Sequence, residues 1–90
     1  MEIKILRRSQ QALSADVGSD VVALNIAKGA CYGMEKVAAD VWQLLAQPTD
    51  IEAICKSLGG RYEVDPETCR ADVGRLIDEM VREGLVEVAG

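Results

Sequence analysis

The chain has no histidine in its 90 residues, which removes the commonest general base and the commonest metal ligand. Its three cysteines, Cys31, Cys55 and Cys69, form no C-x-x-C pair. A structural zinc site would need carboxylates at unusual spacing, so the thiols read as small reduced hydrophobes and neither metal nor cofactor is expected. No apolar run approaches the roughly 20 residues that span a bilayer. The N-terminal Met1–Arg8 has no long apolar segment or cleavage site behind its charges, so no secretory signal or membrane partner is expected and a cytoplasmic location follows. Excess base is also missing. The net charge is −5, whereas a nucleic-acid binder carries a basic face that displaces counterions from phosphates. No glycine-rich phosphate loop is present, because Gly59-Gly60 reads as a helix stop with a left-handed cap.

What remains is ordinary for one folded domain: about half the residues are apolar and a quarter charged. A single domain is expected over residues 1–90, with its core at about 12–88. Leu13–Val17 and Val21–Ile26 read as strands joined at Gly18-Ser19-Asp20, with Val22, Leu24 and Ile26 sharing one face at period two. After the turn at Ala27-Lys28-Gly29, Ala30–Met34 makes a third strand and completes an antiparallel meander. The period then changes. Val37, Val41, Leu44 and Leu45 lie on one helical face, and Pro48 ends that helix near Ala46. Thr49-Asp50-Ile51-Glu52 reads as a capping box opening a second helix, and Asp65-Pro66 opens a third that runs to Gly84. Leu85–Val88 is a short terminal strand or extended tail. The expected fold class is α+β, of winged helix-turn-helix type: a three-stranded antiparallel sheet followed by three helices.

The chemistry is that of a binding module, with no catalytic residue expected. Ser9, Ser14, Ser19 and Ser57 have no activating neighbour, and Lys28 is the only cation near Cys31 in sequence. A winged-helix DNA-binding regulator is the structural competitor. The third helix argues against it, since Glu67, Asp72, Asp78, Glu79 and Glu83 outnumber Arg70, Arg75 and Arg82. The third strand, Ala30-Cys31-Tyr32-Gly33-Met34, is short and uncharged. Two readings fit it: Tyr32 and Met34 cover the core, or the strand is a free edge to which an extended peptide adds.

A resemblance extends that second reading. Val21–Ile26, Lys28-Gly29, Tyr32-Gly33-Met34 and Val37–Leu45, then Tyr62–Thr68, Ala71-Asp72-Val73 and Gly84-Leu85-Val86, are similar to the PqqD-like family over about residues 12 to 88. The resemblance implies a recognition element for ribosomally made, post-translationally modified peptides. It implies a precursor leader peptide as ligand, added to the third strand and lying against the third helix, with no chemistry of the chain's own. At this length the chain is most similar to the stand-alone B1-type members of lasso-peptide pathways. Those imply a B2-like leader peptidase, or another modifying enzyme, as partner. The quinone-cofactor members imply a radical enzyme instead. Carried over, the peptide-binding residues are Ala30, Cys31, Tyr32, Gly33 and Met34, with Asp72, Arg75, Leu76 and Glu79 on one flank of the third helix. The opposite flank, Arg70, Gly74, Ile77 and Val81, fits the periodicity as well. Two positions depart from the family's pattern. Glu35 stands where a good helix cap is common, and Gly74 where a larger apolar residue is common.

Overall fold

Strand gives way to helix after Met34, where the hydrophobic period changes. The computed structural model describes residues 4–89. The elements are β1 (Ile5–Arg8), β2 (Ala12–Val17), β3 (Asp20–Asn25), β4 (Ala30–Met34), α1 (Val37–Leu44), α2 (Ile51–Gly59), α3 (Pro66–Arg82) and β5 (Val86–Ala89). The expected meander is the sheet β2-β3-β4, antiparallel throughout and free of bulges. Gly18 at φ 66 supplies the positive-φ position of the two-residue β2–β3 turn. The expected domain limits take in residues 1–3 and 90, which lie outside the described residues.

A second sheet was not read from the sequence. β1 pairs antiparallel with β5, from Ile5 opposite Ala89 to Arg8 opposite Val86. The expected terminal strand therefore finds its partner at the other end of the chain. Arg8 fastens this sheet to α1: its guanidinium donates to the Trp42 carbonyl at 2.5 and 3.2 Å. The same group stacks 4.3 Å from the Trp42 ring centroid. Trp42 is buried in the core with Val41, Leu45, Ile54, Leu58, Val73 and Leu85, and its indole N–H donates to Ser14 of β2 at 2.9 Å.

Two expected caps are corrected. Thr49 does not cap α2. Its backbone is held extended by a bridge to Leu6, at 2.6 and 2.9 Å, so the cap moves one residue on to Asp50, whose carboxylate accepts from the Ala53 amide at 2.8 Å. Nor does Gly60 take a left-handed conformation. Its φ is −79, and a right-handed turn in which Arg61 and Tyr62 donate to the Leu58 carbonyl closes the helix. The left-handed stop belongs to α3, at Gly84 with φ 75. Gly84 N–H donates to Val81 and Leu85 N–H to Met80, at 3.0 and 2.9 Å, which is the paired closure of a Schellman motif. Asp65 caps the start of α3 as expected, accepting from Thr68 at 3.1 Å.

The sheet's inner face is the one opposite to Val22, Leu24 and Ile26. Val21, Ala23 and Asn25 are buried, while Val22 and Ile26 are exposed. Asn25, 3% exposed, is satisfied there: its amide donates to the Glu83 and Gly84 carbonyls at 2.9 and 3.1 Å, and its oxygen accepts from Lys28 N–H at 3.0 Å. These bonds pin the β3–β4 hairpin to the C-terminus of α3.

Candidate peptide-binding site

The open side of β4 follows from ladder geometry. In an antiparallel pair a residue's N–H and C=O point to the same side, and successive residues alternate. Ile26 N–H donates to Gln11 on the β2 side, and the Asn25 carbonyl accepts from Gly29 on the β4 side, both at 2.8 Å. Asn25, Ala23 and Val21 therefore address Ala30, Tyr32 and Met34, their partners in register. The N–H and C=O of Cys31 and Gly33 are left pointing away from the sheet. Among the described residues no strand lies beyond β4, because β1 and β5 pair with each other.

Side chains divide between the two faces as the period-two pattern requires. Tyr32 and Ala30 are half-buried on the inner face and Cys31 is exposed on the outer. Met34 is 6% exposed; it belongs to the core, so its side chain is not free to shape a pocket. Tyr32 reaches across to α3, its hydroxyl donating to the Glu83 carboxylate at 2.5 Å. That bond holds the Tyr32 hydroxyl above the usual tyrosine range, with desolvation and the Glu83 charge adding to it.

The same contact distinguishes the two flanks of α3. Glu83 lies on the stripe of Asp72, Leu76 and Glu79 at helical spacing, so that stripe is the one facing β4. Leu76 is half-buried against the core, Glu79 is exposed, and Arg75 pairs with Asp72 at 3.1 Å in solvent. The opposite flank turns toward α2, where Arg70 grips Glu52 through bonds of 2.8 and 3.2 Å. The fold thus brings Tyr32, Leu76, Glu79 and Glu83 to one side of the molecule. Glu83 was missing from the expected set; its spacing of four from Glu79 was the signal that pointed to it.

A surface cavity of about 270 Å³ lies elsewhere, between α2 and the start of α3, lined by residues that include Cys55, Val64, Cys69 and Arg70. None of the expected peptide-binding residues lines it. Burial pushes the Cys55 thiol up to about 11, with the neighbouring Cys69 thiol adding to it. Among the described residues no three potential ligands gather to hold a metal, and no helix is long and apolar enough to cross a membrane.

Comparison with known proteins identifies the family and the fold. The sequence model of the family described as coenzyme PQQ synthesis protein D (PqqD) matches residues 20–86. Two solved structures are similar over nearly their whole length. TbiB1, in complex with the TbiA(beta) leader peptide, is 25% identical with a TM-score of 0.88, over 93% of this chain and 98% of that one. A lasso peptide synthetase B1, complexed with the leader peptide, is 20% identical with a TM-score of 0.81, over 91% and 96%; at that identity the likeness speaks for the fold alone. No curated protein matches the sequence.

Proposed function

This chain belongs to the PqqD family, and from that premise we propose that it binds the leader region of a ribosomally synthesised precursor peptide in a lasso-peptide pathway. The observation that carries the reading is the open edge of β4 in a fold shared with TbiB1, a protein solved with a leader peptide bound. The leader adds as a further strand, taking its backbone bonds from Cys31 and Gly33. Its inward side chains lie beside Tyr32 and against Leu76, with the Asp72 and Glu79 carboxylates suited to basic leader residues. Arg75 and the flanking Ala30 frame this surface, and Met34 lies beneath it in the core. The chain performs no chemistry; it presents the leader to a partner peptidase of the B2 type.

Magnitudes show that the edge needs side-chain anchors. The four outward backbone groups of Cys31 and Gly33 are worth about 0.5–1.5 kcal/mol each net, so about 2–6 kcal/mol together. Micromolar affinity requires about 8 kcal/mol after the cost of ordering the peptide. Two or three buried apolar side chains, at about 1.5–3 kcal/mol each, close the difference. Specificity therefore rests on those side chains.

The test is a fluorescence-anisotropy titration of the labelled leader of a precursor encoded beside this chain. Saturable binding, weakened by Leu76→Asp, is expected; no saturable binding to any such leader rejects the reading. The family description favours one second reading, a peptide chaperone for a radical enzyme in quinone-cofactor synthesis. Binding of a quinone-cofactor precursor in place of a lasso leader would select it.

A further inference from the structure

Gly33 has no reason in the fold to be glycine. The β3–β4 register runs past it without a bulge, from Val21 opposite Met34 to Asn25 opposite Ala30. Its φ is not positive. A Cβ built on it meets nothing within 4 Å. Glycine in a strand weakens the strand, and where no turn or bulge requires it, it marks a place that another chain approaches closely.

The outer face of the sheet shows what the missing side chain leaves open. Ala15, Val22 and Gly33 form one row across the three strands. It is bordered on one side by the row Leu13, Leu24 and Cys31. Small residues stand at both ends of the middle row, with Val22 on its floor, 41% exposed. This trough runs off the sheet at Gly33, at the point where the backbone is free. A residue added directly opposite Gly33 turns its side chain to this same outer face. With no Cβ in the way, that side chain can lean across β4 and cover Val22. A short or polar side chain would leave Val22 in water.

We propose that Gly33 is a specificity-determining position, opening a trough over Val22 that seats one long apolar or aromatic side chain of the leader, the one opposite Gly33. The inference rests on the strand-addition reading above and names a feature of its ligand. It adds an outer-face anchor to the inner contacts at Tyr32 and Leu76.

The test pans a phage-displayed library of random 16-residue peptides on the immobilised full chain and on Gly33→Val. The wild type is expected to enrich peptides with a large apolar residue at one fixed position, and Gly33→Val to lose that preference while keeping the others. A synthetic peptide of the enriched sequence should bind Gly33→Val at least tenfold more weakly than wild type, with Gly33→Ala between them. Its counterpart with alanine at the fixed position should bind wild type and Gly33→Val within twofold of each other. The melting temperature of Gly33→Val should equal or exceed that of wild type, by up to about 6 °C, since valine favours a strand. That separates a lost subsite from a damaged fold. Equal preferences and affinities in wild type, Gly33→Ala and Gly33→Val overturn the inference and leave strand addition standing. Enrichment of no peptide by the wild type overturns strand addition itself.

Discussion

Tyr32 and Glu83 are joined by a hydrogen bond of 2.5 Å that ties the open strand β4 to the last turn of α3. The bond sets the spacing between the free edge and the helix flank. It also has a pH signature. The carboxylate holds the Tyr32 hydroxyl above its ordinary value of 10.0, so the folded state binds this proton more tightly than the unfolded state. Its contribution to stability is therefore fully present below pH 10 and is lost as pH rises through the raised value. Tyr32→Phe should lower the urea midpoint at pH 7, and the gap to wild type should narrow once the phenol ionises. Urea titrations at neutral and strongly alkaline pH check this; a gap that stays constant means the bond contributes nothing.

Much of this architecture was legible in sequence because its signals are local. Gly18-Ser19 sits between two extended runs, Asp65-Pro66 opens α3, and in the stripe Cys69, Val73, Leu76, Ile77 and Met80 all but the half-buried Leu76 are buried, as the period implies. β1 was not legible, because it holds only four residues and its partner lies at the far end of the chain. Arg7 meets Glu87 across a separation of 80 residues at 3.1 Å, and no turn connects them. The flank of α3 that faces β4 was also beyond periodicity, which offers two equivalent sides. Only the tertiary pairs Tyr32–Glu83 and Arg70–Glu52 distinguish them. The inner face of β3 misleads for a different reason. Asn25 looks like a surface residue until the carbonyls at the end of α3 arrive to satisfy it.

That junction should be intolerant of change. Gly84 combines φ 75 with a position where a Cβ would stand 2.5 Å from Asn25 Nδ2. Gly84→Ala must strain the backbone and displace the Asn25 amide from the carbonyls it serves, at a cost of about 1–3 kcal/mol. Urea denaturation should show the loss. A variant as stable as wild type would mean that the α3 C-terminus shifts freely.

Cys55 should react in the folded chain with a pH dependence set by its surroundings. Desolvation, then the neighbouring Cys69 thiol, raises Cys55 to about 11, so its thiolate is scarce at neutral pH. Iodoacetamide attacks the thiolate. Alkylation of Cys55 in the folded chain should be slow at pH 8 and accelerate toward pH 11, whereas in 8 M urea it should proceed at an ordinary thiol's rate. Peptide mass spectrometry at each pH reads this directly. Fast labelling of native Cys55 at pH 8 would show that the α2–α3 contact opens readily.

Gly74 offers the converse of Gly84. It sits inside α3, on the flank away from Tyr32, and an added Cβ meets nothing within 4 Å. Glycine in a helix interior costs about 1 kcal/mol relative to alanine, because the unfolded chain has more freedom to lose. If no ligand uses the gap, Gly74→Ala should raise stability by about 0.5–1 kcal/mol and leave leader affinity unchanged. If the gap instead receives a leader side chain, the same substitution stabilises the fold and weakens binding. Leader titration and urea denaturation of this single variant, taken together, therefore report which flank of α3 the peptide meets. Weakened binding would move the site from Leu76 and Glu79 to the side of Arg70 and Val81.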